Sequence, residues 1–303
     1  MLYVFRRASS TGARSLSEAL NGIRMRNVER LQRKVRAGDR IVMWGEHIPT
    51  IAGVMMLNNT PLQNKFEDAT RLRAAGVSTI EVSRTRPVQA PATPPPDPLI
   101  ALWDDAADVA DAFAGTTADR GQVAREGLDE FLTLLNNLKR AQLTGAPVAT
   151  PVAALNWVPR LFNHTGGADL LHPPTTPEFF VKKEEFVKEY RVHSFMGKSL
   201  RAGKKVHRDG FPTPHAWVKS WDGGWKIVYD GVTAKQRHRD IAHQAVAALG
   251  LQFGAVDIGE RRDNSLVVLE VNRAPGLEGG TVDAYARAIR DGLRSPVDKE
   301  LGS

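Results

Sequence analysis

The chain has 303 residues, of which 42% are hydrophobic and 25% charged, a composition typical of a soluble globular protein with two or three modest domains. It has no cysteine, which excludes disulfides, thiolate zinc sites and cysteine nucleophiles and fits a cytoplasmic protein. No apolar run is long enough to span a bilayer, so we expect no membrane partner. The net charge of +7 fits two interpretations equally: a polyanionic partner such as a nucleotide, nucleic acid or acidic substrate, or a basic surface that only maintains solubility.

Residues 1–88 alternate between predicted strands and helices, which favours a small parallel α/β unit. The predicted elements are, in chain order, strand Leu2–Phe5, a helix from Ser15 with Ser15 as its N-cap, strand Arg40–Gly45, helix Asn64–Ala75 and strand Val77–Val82. No G-x-G-x-x-G motif occurs in this unit, so the sequence gives no support for a dinucleotide site.

A proline-rich linker over 86–98 separates this unit from two predicted helices, about Leu99–Phe113 and Ala118–Gln142. The segment after them becomes rich in predicted strands. We therefore expect an N-terminal α/β domain over 1–88, a linker with inserted helices over 89–147, and a third domain over 148–303.

The third domain has more predicted strands than helices. In chain order we expect strands Asn156–Phe162 and Phe179–Val181, a hairpin of Glu189–Phe195 with Ser199–Val206, a hairpin of Ala216–Trp221 with Trp225–Tyr229, helix Thr233–Leu249, strands Leu251–Ile258 and Ser265–Asn272, and helix Val282–Leu293. His193 is expected to pack on the face of its strand opposite to Glu189 and Arg191. The combination of parallel and antiparallel units predicts an α/β (α+β) protein.

The last two strands place hard oxygen ligands inside apolar runs. Asp257 lies on the first strand, and Glu270 and Asn272 lie two apart on the second, so that both point to one face. An unpaired buried charge would be costly, and Mg²⁺ takes carboxylate and amide oxygens and completes its shell with waters and phosphates. The sequence therefore predicts a magnesium site formed by these three residues.

Cations and glycines precede these strands along the chain. Gly166-Gly167 is by itself more typical of a turn than of a phosphate cradle, and the Lys204-Lys205 pair is usually a solvated strand end. Together with Arg160 and the acidic strands, however, they provide the glycine flap, cations and metal site that phosphoryl chemistry needs.

Three segments resemble the ATP-grasp superfamily of carboxylate–amine ligases: EYRVHSF (Glu189–Phe195), AVDIG (Ala255–Gly259) and VLEVNRAPGLEGG (Val268–Gly280). The third is the most specific, because an acidic residue, Val, Asn and a Pro-Gly loop form the metal-and-phosphate signature of that superfamily. The likeness is greatest to D-alanine-type and glutamate-adding peptide ligases and to small bacteriophage-encoded ATP-grasp proteins. It implies an ATP-grasp fold in which an N-terminal α/β unit precedes two α+β subdomains that clasp ATP.

The resemblance also implies roles for individual residues. Asp257, Glu270 and Asn272 would hold two Mg²⁺ ions that bridge the phosphates of ATP. The implied nucleotide contacts are phosphates for Arg160, Gly166 and Gly167, adenine for Lys182, Lys183 and Glu184, and ribose for Glu189. The implied catalytic groups are Arg191 and Lys205, on the γ-phosphate or the acceptor carboxylate, and Arg273 and Gly276, facing an acyl-phosphate.

The implied reaction has two steps. A small-molecule or peptide carboxylate attacks the γ-phosphate of MgATP to give an acyl-phosphate and ADP, and an amine then displaces phosphate. One alternative is a kinase of the same fold, which would release ADP with no amine requirement. Another is a basic nucleic-acid-binding or nucleic-acid-modifying protein, in which Trp217, Trp221 and Trp225 stack on bases.

Overall fold

The computed structural model describes residues 1–85, 157–162, 176–211, 214 and 218–293. Backbone contacts divide the chain into two compact units, Met1–Arg86 with Asn156–Ser303 and Pro87–Leu155. Every element described below belongs to the first unit. The helices predicted within 99–142 and the Gly166-Gly167 loop lie outside the described residues, and the domain boundaries expected at 88 and 147 stay predictions.

The first 75 residues contain a four-stranded parallel sheet in the order β2-β1-β3-β4, as the alternating pattern predicted. Its elements are β1 (Leu2–Phe5), α1 (Thr11–Ala19), β2 (Ile23–Met25), α2 (Val28–Lys34), β3 (Arg40–Met43), β4 (Met55–Leu57) and α3 (Lys65–Ala74). Strands β2 and β4, three residues each, and helix α2, seven residues, were not predicted, because such short elements carry almost no periodic signal.

Two helix ends in this unit test the capping predictions. Ser10, not Ser15, caps α1: its side chain accepts a hydrogen bond from the Ala13 N–H, while Ser15 lies within the helix. The helix begins earlier than predicted because Gly12 and Ala13 are buried in the core. The predicted helix Asn64–Ala75 is confirmed as α3, and the structure adds that Asn64 caps it through a capping box with Glu67.

The predicted strand Val77–Val82 is wrong in extent. Thr79 forms only an isolated parallel bridge to Val268, and the strand β5 is limited to Val82–Ser83. The Thr79 hydroxyl also donates to the Val268 carbonyl at 2.9 Å. This segment therefore leaves the parallel sheet and connects it to two antiparallel sheets.

The smaller antiparallel sheet has the order β5-β7-β6 and adds β6 (Trp157–Arg160) and β7 (Phe179–Lys182), both of which were predicted. Phe179 stacks on Phe162 and meets Phe66 of α3 edge-on, with the Arg84 guanidinium over both partners. These contacts join the sheet to the start of α3.

The larger antiparallel sheet has the order β10-β9-β8-β11-β12. Its strands are β8 (Lys188–Phe195), β9 (Lys198–His207), β10 (Trp225–Val228), β11 (Phe253–Glu260) and β12 (Leu266–Asn272). The predicted β8–β9 hairpin is confirmed, and its turn residues Met196 and Gly197 both have positive φ, as a two-residue hairpin turn requires.

The second predicted hairpin is wrong. Strand β10 pairs with β9, from Trp225 opposite His207 to Val228 opposite Lys204, and the described residues 218–221 form no strand. Strand β9 is ten residues long and pairs with β8 along one edge, so its other edge offers β10 a partner. A side chain at Gly223 would meet the Val218 carbonyl at 2.1 Å, which shows how tightly this segment is folded.

Helices α4 (Gln236–Ala248) and α5 (Gly280–Leu293) complete the described fold. Helix α4 covers one face of the five-stranded sheet, where Ala242, Ala245 and Val246 pack with Val192 and Val256. A second core joins α5 to α1 and to both large sheets; among its members are Leu16, Trp44, Phe253, Tyr285 and Ile289. Among the residues described, no helix combines the length and the apolar character needed to cross a membrane.

Candidate active site

The face of the five-stranded sheet opposite α4 borders a cavity of about 770 Å³, which residues of the three-stranded sheet also line. Ten of the predicted site residues line it: Arg160, Lys182, Lys183, Glu184, Glu189, Arg191, Lys205, Asp257, Glu270 and Gly276. Asn272 lines an adjoining cavity of about 60 Å³, and Arg273 is among the lining residues of neither. Segments far apart in the chain thus meet around one space.

Strand register places four residues in a row across the cavity face. Gly203 lies opposite Arg191, Arg191 opposite Asp257, and Asp257 opposite Glu270, on four adjacent strands. The register shifts just after Asp257, because Ile258 pairs with Val268 and Leu269 is the extra residue. Asp257 and Glu270 share a face because they are paired directly across the two strands, and the bulge re-aims the extra residue Leu269, which lines the cavity.

Asp257 is the most strongly paired of the carboxylates. Arg191 donates to both of its oxygens, from Nε at 2.6 Å and Nη2 at 2.8 Å, and Lys205 Nζ lies 3.5 Å away. Burial would raise the pKa of the Asp257 carboxyl, but the Arg191 guanidinium and the Lys205 ammonium hold that pKa below its usual range. Asp257 is therefore a fixed negative charge in the cavity wall.

Glu189 is buried between two ammonium groups. Lys205 donates to Glu189 Oε2 at 2.9 Å, and Lys219 Nζ lies 3.1 Å from Oε1. Burial would lower the pKa of Lys205, but Asp257 and Glu189 raise it above its ordinary value, so Lys205 stays charged. The sequence analysis gave Lys219 no role at a nucleotide site, because it placed this residue on a predicted hairpin strand beside tryptophans.

Glu270 has a partner from the N-terminal α/β unit. Lys65 Nζ contacts Glu270 Oε2 at 2.6 Å, and the Asn272 amide donates to Oε1 at 2.8 Å. Lys65 is the first residue of α3, directly after its cap Asn64, and it lines both cavities. The sequence analysis predicted the helix in which Lys65 lies but gave the residue itself no role.

The donor set fits a hard divalent cation. Asp257 and Glu270 lie opposite each other, and Asn272 adds an amide next to Glu270. No group of three or more acidic or histidine side chains forms a closed metal cage in the described ranges. An open set of two carboxylates and an amide suits Mg²⁺, which keeps several waters and takes oxygens from phosphates.

The residues predicted to meet adenine line the same cavity. Lys182 forms an ion pair with Glu81 at 3.0 Å, and Glu184 accepts from Arg261 Nε at 2.8 Å. Lys183 also lines the cavity, and Arg160 lines both this cavity and the smaller one beside Glu270 and Asn272. The structure thus brings the predicted hinge residues into the cavity that also contains the acidic row.

Arg273 lies away from the cavity. Its guanidinium donates to Asp68 Oδ1 at 2.7 Å and to the Pro61 carbonyl at 2.9 Å, so it attaches the loop after β12 to α3. Burial raises the pKa of the Asp68 carboxyl even though Arg273 opposes this shift. Gly276, three residues later, does line the cavity.

His193 was predicted on the wrong face. It lies two residues from Arg191 and shares its face, as strand alternation requires. Its Nε2 lies 3.0 Å from the Tyr229 hydroxyl and its Nδ1 lies 3.2 Å from the Tyr285 hydroxyl. Tyr229 in turn lines the cavity.

No protein-family model and no curated protein matches this chain. Solved structures do match it over nearly the whole length of both chains. The D-alanine–D-alanine ligase from Bacillus anthracis, complexed with ATP, is 14% identical, with 99% of each chain covered and a TM-score of 0.52.

The ATP-grasp ligase PsnB with its minimal precursor is 11% identical, with 96% of this chain and 98% of that chain covered and a TM-score of 0.52. PsnB with minimal precursor, Mg and ADP is 12% identical, with 97% of each chain covered and a TM-score of 0.51. The likeness to bacteriophage proteins stays a prediction. At these identities the similarity concerns the fold, and this chain has the ATP-grasp fold.

Proposed function

We propose that this protein is an ATP-dependent ligase that joins a carboxylate to an amine through an acyl-phosphate and releases ADP and phosphate. The observation that carries the proposal is the row of Arg191, Asp257 and Glu270 across three neighbouring strands, facing a cavity of about 770 Å³. Lys65 and Lys205 add two cations to this row. In an ATP-grasp fold, this set of charges suits the phosphates of a nucleotide.

Asp257, Glu270 and Asn272 would hold Mg²⁺, with two ions expected from the resemblance. Bound there, the metal would neutralise charge on the phosphates of ATP and orient them. Each carboxylate of the row contacts a cation, Asp257 with Arg191 and Glu270 with Lys65. If a metal took the carboxylates, the phosphates of ATP would become partners of these cations, so every charge would keep a partner.

The other predicted contacts follow the cavity wall. Lys182, Lys183 and Glu184 would contact adenine, Glu189 the ribose hydroxyls, and Arg160 with Gly166 and Gly167 the phosphates. We propose Arg191 and Lys205 as the groups that stabilise charge on the transferring phosphoryl group. Arg273 would act indirectly, because its contacts to Asp68 and Pro61 fix the loop from which Gly276 faces the reacting groups.

The substrates are proposed by class. A carboxylate on a small molecule or a peptide attacks the γ-phosphorus in line, and an amine then attacks the acyl carbon and expels phosphate. One similar structure is named for a D-alanine–D-alanine ligase, which supports a small-molecule substrate, and the peptide alternative rests on the resemblance of the sequence motifs. We further propose a cytoplasmic protein with its N-terminal domain over 1–88 and its ATP-grasp domain over 148–303.

Calorimetric titration with MgATP tests the nucleotide site. We expect Mg²⁺-dependent binding by the native protein and its loss in Glu270→Ala with Asn272→Ala. Glu18→Ala with Gln32→Ala is a matched control, since it removes one carboxylate and one amide from exposed positions of α1 and α2. If the native protein does not bind MgATP, the proposal is wrong. If ATP is converted to ADP in the presence of a carboxylate or hydroxyl substrate and no amine is consumed, the kinase alternative replaces the ligase.

Nucleic-acid binding is a second candidate, favoured by one surface feature. Trp221 is 63% exposed at the edge of the cavity, and the Arg208 guanidinium lies 4.3 Å from the centroid of its ring. Bases stack on such exposed rings, and cations beside them attract the backbone. Trp217 lies outside the described residues. An affinity for single-stranded DNA or RNA that falls steeply with salt, and that Trp221→Ala reduces, would support this candidate.

A further inference from the structure

Three side chains form a hydrogen-bonded chain that leads from the core to the cavity. The Tyr285 hydroxyl lies 3.2 Å from His193 Nδ1, and His193 Nε2 lies 3.0 Å from the Tyr229 hydroxyl. Tyr285 and His193 have no exposed surface, whereas Tyr229 lines the cavity. The nucleotide contacts proposed above use none of the three.

The direction of the hydrogen bonds follows from which groups need partners. A neutral imidazole has one donor and one acceptor nitrogen. Among the described residues, the fully buried Tyr285 hydroxyl has His193 Nδ1 as its one hydrogen-bond partner. If Nδ1 carried the proton, the Tyr285 O–H would have no acceptor, and buried donors without acceptors are rare and costly. Tyr285 therefore donates to Nδ1, and Nε2–H donates to the Tyr229 oxygen.

His193 stays neutral in this arrangement. Burial lowers the pKa of its imidazole to about 3, and the neighbouring Arg191 charge acts in the same direction. With the Tyr229 oxygen already accepting from His193, the Tyr229 O–H is available as a donor on the cavity side. Tyr285 and His193 thus fix both the place and the direction of the Tyr229 hydroxyl.

The position of Tyr229 is fixed by its ring. The ring lies over the Arg201 guanidinium, 4.6 Å from the centroid, and covers Gly203, where a side chain would come within 2.9 Å of ring atoms. Gly203 pairs with Arg191 in the charged row. Glu189, Arg191 and His193 follow one another along the cavity face of β8, about 6.6 Å apart. This order leads away from the proposed adenine contacts, Lys182, Lys183 and Glu184. Tyr229 therefore stands beyond the proposed phosphate position, on the side where a second substrate enters.

We propose that the Tyr229 hydroxyl is a hydrogen-bond donor to the substrate carboxylate and to the acyl oxygen derived from it, with His193 and Tyr285 as positioning residues; this inference rests on the proposed ligase function. When the amine attacks the acyl-phosphate, the C–N bond forms and the carbonyl oxygen takes negative charge. The C–O bond to phosphate then breaks, phosphate leaves with the electron pair, and the amine loses a proton to solvent. Tyr229 stabilises the charged oxygen and transfers no proton.

The first test needs no substrate. Nitrogen-15 NMR of the imidazoles distinguishes the two neutral tautomers, and we expect His193 to carry its proton on Nε2 throughout pH 5–8. In Tyr285→Phe this preference is expected to disappear, because Nδ1 loses its donor. A proton on Nδ1 of the native protein would overturn the proposal, since the Tyr229 hydroxyl would then donate to His193 and not to the cavity.

The second test uses acetate, the simplest carboxylate, titrated into the MgADP-saturated protein. Tyr229→Phe is expected to weaken acetate binding about tenfold with unchanged MgADP affinity, because a hydrogen bond to a charged group is lost. Tyr3→Phe, which removes a buried hydroxyl from the parallel sheet, is the control. Equal acetate affinity in Tyr229→Phe, or no acetate binding by the native MgADP complex, would overturn the role of Tyr229. Failure of MgADP itself to bind would instead overturn the proposed ligase function.

Discussion

The two faces of the five-stranded sheet use the same strands for opposite purposes. On the face covered by α4, Val192, Val256 and Ile258 pack in an apolar core. On the cavity face, Arg191 and Asp257, neighbours of those residues along the chain, form a buried ion pair. Alternation along β8 and β11 therefore separates a stabilising surface from a charged one within a single layer.

The contrast between the two faces shows where this molecule obtains its stability. Burying apolar surface is favourable, whereas burying an ion pair at best repays the loss of hydration. Buried pairs of this kind on the cavity face include Arg191–Asp257, Lys205–Glu189 and Lys219–Glu189. Apolar residues in their place would serve stability as well or better, so the charges are best explained by a ligand that needs them.

Arg191→Met gives the largest expected effect on the cavity face. It leaves the buried Asp257 carboxylate with Lys205 alone, and breaking a buried pair in this way costs about 3–5 kcal/mol of unfolding free energy near pH 7. In the native protein the pKa of Asp257 is lowered, so its contribution is present above the ordinary carboxyl pKa and is lost as the pH falls through the folded value. In the variant that pKa rises, so the difference between the two proteins shrinks in acid.

Urea unfolding at several pH values measures this effect. Arg191→Met with Asp257→Asn is the control, because it removes both charges and is expected to recover most of the lost stability. A cost below about 1 kcal/mol for the single variant, typical of solvated pairs, would contradict the comparison of the two faces.

Ile258→Ala tests the opposite face. Ile258 is fully buried against α4, and truncating such a side chain costs about 2–5 kcal/mol through lost burial and the cavity left behind. MgATP affinity, measured by calorimetry under conditions where the variant is folded, is expected to stay unchanged. Ile258→Val, at about 0.5–1.5 kcal/mol, provides the graded control. A large loss of affinity in Ile258→Ala would show that the two faces are not separable.

His193, a buried residue on the cavity face, makes the free energy of unfolding depend on pH. Its pKa is lowered to about 3 in the folded protein, so the unfolded state binds a proton near pH 6.5 that the folded state does not. The contribution of His193 to the free energy of unfolding is therefore fully present above about pH 6.5. It falls as the pH decreases towards the folded pKa, by about 2 kcal/mol between pH 6.5 and 5. Urea unfolding of the native protein and of His193→Gln is expected to give a slope one proton smaller in the variant. Equal slopes would mean that His193 is charged in the fold.

Much of the fold was predictable because most of its strands have a clear local sequence pattern. The runs that became β8, β11 and β12 combine apolar residues with defined ends, and the turn at Met196-Gly197 specifies a hairpin. The partner of β10 was not predictable. Pairing with β9 depends on a free strand edge, which is a property of the assembled sheet and not of the segment itself.

The candidate site was likewise predictable only where its residues stand out in their own segment of the sequence. Asp257, Glu270 and Asn272 were predicted to lie together because acidic and amide residues inside apolar strands are conspicuous, and the structure places them on adjacent strands; their role as metal ligands stays a prediction. Lys65 was missed, since its contact with Glu270 spans 205 positions in the chain. Arg273 lies beside the signature residues but turns towards Asp68, a partner that no local pattern indicated.

Lys182→Ala gives the smallest expected effect and sets the baseline for the comparison. Lys182 and Glu81 are each nearly half exposed, at 47% and 46%, so both charges keep most of their hydration in the pair. Such pairs contribute less than about 1 kcal/mol, and salt reduces even that. Unfolding of the variant at low and high salt is expected to show a small difference that disappears at high salt. A salt-independent cost near that of Arg191→Met would mean that charge pairs stabilise this fold wherever they lie, and that the cavity face is not exceptional.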